Sequence, residues 1–78
     1  MAAPHTKAPQ GQVVNHIRRL RFEAGEMTQQ ALATAAGVTR QTINSIEGGK
    51  YSPSLELAFK IALVLEQPIE RVFVYVAD

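Results

Sequence analysis

The chain has 78 residues, a formal net charge of +1 and no cysteine. That length holds one small domain with one core and leaves no volume for a separate catalytic domain. The lack of cysteine excludes a disulfide framework and a thiolate metal site and fits a reducing cytoplasm, while a charge so near zero says nothing about partners, so a nucleic-acid reading must come from where the charges lie.

The start, "MAAPHTKAPQGQ", carries Pro4, Pro9 and Gly11, no apolar run of the signal-peptide kind and almost nothing large to bury. Residues 1–11 cannot offset the entropy of ordering and are expected to be a flexible arm ahead of a domain over residues 12–78. From Val13 the pattern changes: Ile17 and Leu20 recur at helical spacing, which predicts a first helix over residues 15–24 with Asn15 as N-cap and Gly25 as a left-handed stop. Thr28 caps "QQALATAA", where Leu32 and Ala35 are expected to form the inward stripe, and Gly37 ends this second helix. After only Gly37 and Val38, Thr39 caps a third helix to about Glu47, closed by Gly48 and Gly49.

A fourth helix over residues 55–65 follows "SPS", with Leu57, Ala58, Ile61, Ala62 and Leu65 as a wide apolar face; Pro68 suits the first turn of a short fifth. The apolar run "LELAFKIALVL" is interrupted by Glu56 and Lys60 and is too short for a bilayer, so no membrane partner is expected. The tail "VFVYV" alternates with period two and is rich in β-branched and aromatic residues, the mark of a short strand. Residues 12–14 and 73–76 are expected to pair as a small antiparallel sheet. The predicted fold class is thus all-α, five helices in a helix-turn-helix arrangement with that sheet added.

At about 100° per residue, Arg40, Gln41, Asn44 and Ser45 share one sector of the third helix, with Thr42, Ile43, Ile46 and Glu47 opposite. A helix, a tight turn and a second helix with an outward polar row have the form of a helix-turn-helix, whose second helix enters the DNA major groove. Arg suits guanine O6 and N7, and Gln or Asn suits adenine N6 and N7, so these four residues are the candidate base contacts. Between Met27 and Ile46 there is no Asp or Glu to repel phosphate, and Lys50 adds attraction at the edge. The helix starts at Thr28 and Ser54 can offer backbone N–H groups to phosphate oxygens. His5 and His16 form no ligand set with nearby carboxylates, and no nucleophile with a base or pair of acids stands out; no metal, cofactor or enzymatic activity is expected.

"TQQ.LA", "GVTRQTI", "IE.GK" and "SPSLELA" occur together, in order and at consistent spacing, and over residues 15–73 the chain resembles the Cro and phage-repressor-like (XRE) helix-turn-helix family, particularly its short bacterial members. The resemblance implies five helices and binding to operator DNA as a dimer. It implies a phosphate contact for Gln29, backbone contacts for Lys50 and Tyr51, and an ion pair between Arg21 and Glu47. With Thr39 and Thr42, the expected phosphate contacts are Thr28, Gln29, Thr39, Thr42, Lys50, Tyr51 and Ser54. The sequence departs from the family pattern at the turn "GEM", which is one residue longer than in many relatives, and at Ala31 and Gly48, where Glu and Asn or Lys are frequent.

The expected function is a sequence-specific transcriptional regulator, a repressor, binding a two-fold operator as a homodimer and needing no small-molecule ligand. A lone helix-turn-helix reads few base pairs, so two chains must be held together. The apolar tail is the expected means, through Ile69, Val72, Phe73, Val74, Tyr75 and Val76. The alternative is an antitoxin or protein-interaction module on the same fold.

Overall fold

The computed structural model describes residues 8–77; the greater part of the expected N-terminal arm, residues 1–7, lies outside them. Chain order is β1 (Gly11–Asn15), α1 (Ile17–Glu23), α2 (Gln29–Ala36), α3 (Arg40–Glu47), α4 (Leu55–Leu65), α5 (Ile69–Val72) and β2 (Phe73–Ala77). Five helices and one two-stranded antiparallel sheet thus form the fold expected from the sequence.

The two strands join the ends of the described chain, with Gly11 opposite Ala77, Val13 opposite Tyr75 and Asn15 opposite Phe73. Gly11, expected at the end of the arm, is the first residue of β1 instead. A side chain there would collide with the Val76 carbonyl, so only glycine lets the strands close at this point. The Tyr75 hydroxyl donates to the Pro9 carbonyl at 3.3 Å, extending the clasp beyond the strand.

The first helix is shorter than its periodicity suggests. Asn15 is the last residue of β1, and the N-cap is His16, which makes no side-chain cap. Asn15 still serves the helix start: its Oδ1 accepts from Ile17 N at 3.2 Å. The His16 N–H donates to the Val72 carbonyl at 2.9 Å, fastening α1 to the end of α5. At the starts of α2 and α3 the hydroxyl caps are made as expected, Thr28 accepting from Ala31 N and Thr39 from Thr42 N, and Ser54 likewise accepts from Leu57 N at the start of α4. Pro68 sits one residue earlier than expected, as the N-cap of α5 and not in its first turn.

Ile17 and Leu20 from α1, Leu32, Ala33 and Ala36 from α2, Ile43 and Ile46 from α3, Ile61, Ala62 and Leu65 from α4, and Val72 from α5 make the core. Two expectations change. Ala35 is exposed, and the inward sector of α2 is Leu32, Ala33 and Ala36. The helix packs against α3 and α4 together, so its buried sector spans two neighbours. Val72, assigned to the tail strand and to a dimer surface, is the last residue of α5 and fully buried, so it is withdrawn from any contact with a second chain. The turn between α2 and α3 rests on Gly37, whose φ of +78° is a left-handed conformation that other residues adopt only with strain. Its N–H and that of Val38 close the last turn of α2 onto Thr34 and Ala33.

Candidate nucleic-acid interface

Helix α3 buries Ile43 and Ile46 and turns Arg40, Gln41 and Asn44 outward, with Ser45 half-buried at the margin. The split is what the period of 3.6 requires once the two isoleucines are in the core. Gln29 on α2, with Gln41, Asn44, Ser45 and Lys50, lines a polar depression that Arg18 and Arg21 of α1 border from the other side. Thr39, Thr42 and Arg40 lie at the start of α3. Tyr51 is on a different wall, beside Ser52, Pro53, Val13 and Phe73. Gln41, Asn44, Ser45 and Lys50 therefore meet in one place, whereas Arg40 and Tyr51 lie outside that depression.

Glu47 is the one carboxylate in the depression, and it is neutralised on the spot. Arg21 Nε donates to Glu47 Oε2 at 2.7 Å and Nη2 donates to Oε1 at 3.0 Å, a two-pronged pair that matches guanidinium to carboxylate. Arg21 Nη1 reaches the Met27 carbonyl at 2.7 Å, so one side chain holds the end of α3 and the loop after α1. Gln29 Nε2 donates to Glu47 Oε1 and to Asn44 Oδ1, each at 3.2 Å. The positive face is thereby left to Arg18, Arg40 and Lys50, all exposed.

The capping hydroxyls have capacity left over. A threonine or serine that accepts a backbone N–H at a helix start uses a lone pair and keeps its O–H as a donor. Thr28 and Ser54 are in that state. Thr39 and Thr42 share one bond between their hydroxyls at 3.0 Å, leaving one donor between them.

Three contributions escaped the sequence reading. Arg18 stands one helical turn before Arg21, so the i, i+3 spacing was a usable signal. Asn15 Nδ2 donates to the Ile46 carbonyl at 2.9 Å and the Glu47 carbonyl at 3.4 Å, capping the end of α3 from 31 residues away. No local pattern announces that contact. Leu55, Phe59 and Leu63 form an exposed stripe on α4, with Leu55 71% and Leu63 76% exposed. Their i, i+4, i+8 spacing sets them along one edge of the core face, with the exposed Glu56–Lys60 pair on the outer side of the same helix. Leu55, with Val13, Ala58, Ile69 and Phe73, lines an apolar hollow of about 310 Å³.

Among the described residues, no group of His, Asp and Glu could hold a metal ion, and no helix is long and apolar enough to cross a membrane. A helix-turn-helix family model matches residues 17–72. An uncharacterised HTH-type transcriptional regulator of Methanocaldococcus jannaschii is 56% identical over 52 residues, 67% of this chain and 79% of that protein. Another, from Bacillus subtilis, is 44% identical over 59 residues, 76% of this chain and 88% of its own. Similar proteins thus occur in an archaeon as well as a bacterium. The restriction-modification controller protein C.AhdI from Aeromonas hydrophila superposes with a TM-score of 0.66 at 29% identity, over 70% of this chain and 78% of that one. A crystallised candidate DNA-binding protein from Bacteroides fragilis gives 0.72 at 26% identity, over 80% and 98%. The polar face of α3, the αL turn before it and the match across residues 17–72 lead to one conclusion: the chain belongs to the Cro/phage-repressor-like (XRE) helix-turn-helix family and is a DNA-binding transcriptional regulator, not an enzyme.

Proposed function

We propose that this chain is a cytoplasmic, sequence-specific repressor that binds a two-fold operator as a homodimer, with α3 in the major groove. The observation that carries this reading is the outward row of Arg40, Gln41, Asn44 and Ser45 on a helix whose other face is core, rimmed by Arg18 and Lys50 and with its one carboxylate held by Arg21. Arg40, Gln41, Asn44 and Ser45 contact base edges. The O–H groups of Thr28, Thr39 or Thr42, and Ser54, together with Lys50 and Tyr51, contact phosphates, which set register and affinity. Gln29 has its amide hydrogens engaged within the protein, so its phosphate contact is made through its backbone N–H at the start of α2.

The second chain docks on the apolar surface around the tail. Ile69, Phe73, Val74, Tyr75 and Val76 form that surface, and the exposed Leu55 and Phe59 join it in this proposal. An isologous contact there repeats each of these residues across the two-fold axis.

The test is selection of bound fragments from random double-stranded DNA by the purified protein. The expected product is a palindrome with half-sites about 10 base pairs apart, centre to centre. An enriched site without two-fold symmetry refutes the homodimeric operator. No enrichment at all refutes sequence-specific binding.

A further inference from the structure

The four polar residues of α3 are not equivalent, because one of them has its amide orientation set by its neighbours. Arg21 is donor-only and Glu47 acceptor-only, so their pair has one possible polarity. Glu47 Oε1 also faces the Gln29 amide, and against a carboxylate oxygen only the NH₂ end of Gln29 can point inward. The second hydrogen of that NH₂ points at Asn44, which must answer with Oδ1, since its own NH₂ would meet a donor with a donor. The direction of every bond from Arg21 to Asn44 follows from hydrogen-bonding capacity alone.

We infer that Gln29 is a positioning residue that fixes the Asn44 amide with Oδ1 toward the protein and Nδ2 toward the groove, so that Asn44 reads acceptor edges and rejects cytosine. This rests on α3 being the base-reading helix. Guanine presents O6 and N7, both acceptors, in the major groove and is the fullest match to an NH₂ donor. Thymine O4 and adenine N7 are single acceptors, and cytosine offers only its N4–H₂ donor. The adenine pairing that an asparagine suggests from sequence needs an acceptor as well as a donor on the groove side. Here Oδ1 is turned toward Gln29, and the groove side is left to Nδ2.

The experiment compares base preferences selected from random double-stranded DNA by the full chain and its Asn44→Ala, Gln29→Met, Gln29→Lys and Arg40→Ala variants. Asn44→Ala identifies the position that Asn44 governs, by flattening it. The wild type is expected to favour guanine there and to disfavour cytosine about tenfold, the scale of one good base contact. Gln29→Met fills similar space without donors and frees the amide to turn, so cytosine should recover most of that tenfold at this position and at no other. Gln29→Lys restores donors toward Glu47 and Asn44 and should restore the wild-type preference. Preferences are compared within each protein, so a loss of stability in either Gln29 variant does not imitate the result. Cytosine favoured by the wild type, or a Gln29→Met profile unchanged at that position, overturns the inference. If Asn44→Ala flattens nothing while Arg40→Ala does, Asn44 reads no base; the inference then fails and the base-reading role of α3 stands. If no protein in the set selects any sequence, the base-reading role itself fails.

Discussion

The pair of Arg21 and Glu47 is the point at which the fold and the DNA-facing surface depend on each other most. Its side chains are 14% and 9% exposed, and Arg21 makes three hydrogen bonds, two to the Glu47 carboxylate and one to the Met27 carbonyl. Glu47→Ala leaves a guanidinium with one carbonyl partner, and Arg21→Ala leaves a carboxylate with only the Gln29 amide. Removing one member of a buried pair costs about 3–5 kcal/mol, whereas an exposed pair is worth at most about 1 kcal/mol. The residual exposure here puts each single substitution at about 2–4 kcal/mol. A domain of this length has about 4–12 kcal/mol in all, so either change removes a large fraction of it. The double variant removes both charges and should lose about 1–3 kcal/mol less than the two singles together. Arg21→Lys should behave nearly as badly as Arg21→Ala, because a single ammonium cannot span both carboxylate oxygens and the Met27 carbonyl. Urea unfolding followed by far-UV circular dichroism measures all four. Singles costing under 1 kcal/mol, or a double variant equal to their sum, would show that the pair contributes no more than an exposed one.

Asn15→Ala should cost about 1–2 kcal/mol, since it removes the cap on the Ile46 carbonyl and the acceptor for Ile17 N; hydrogen exchange should quicken at the end of α3, and Asn15→Asp should restore the acceptor role alone. Arg40→Ala and Gln41→Ala should leave thermal unfolding unchanged and each weaken cognate binding by about 1–3 kcal/mol while relaxing base preference; equal weakening on random DNA would rule out base reading. Lys50→Ala and Arg18→Ala should each lower affinity for all sequences alike and reduce the log–log salt slope by about one unit for every phosphate that is no longer neutralised, and an unchanged slope removes that residue from the interface. Deleting residues 74–78, or substituting Phe59→Glu, should reduce self-association and operator binding together at unchanged helicity; sedimentation of the full chain as a monomer at tens of micromolar would refute this docking surface.

Much of this molecule was written locally. Thr28 and Thr39 cap helices in the sequence reading and in the structure, because an N-cap hydroxyl needs only the N–H three residues ahead. Gly37 marks the turn because a positive φ is a property of one residue. The outward row of α3 follows from its isoleucines, and the pairing of the chain ends follows from the alternating tail and the Val13–Val14 pair. Where the sequence reading went astray, the deciding partner was distant. Asn15 looked like an ordinary cap for α1, but pairing with Phe73 drew it into β1, and its amide reached the end of α3. Val72 fitted the alternation of the tail, yet the packing of α5 took it into the core.

Sequence alone therefore determined the element types, the threonine caps of α2 and α3, the turn and the polar sector of the third helix, all of which depend on backbone geometry within a few residues. Tertiary structure alone decided the joints that neither a local pattern nor the family resemblance announces, such as the Asn15 amide on the end of α3. It brought Arg21, Gln29, Asn44 and Glu47, spread over three helices, into one hydrogen-bonded chain. It also left Leu55, Phe59 and Leu63 without a core to enter. The physical reason is that hydrogen-bond direction and burial are relations between groups, and only the packed chain says which groups meet.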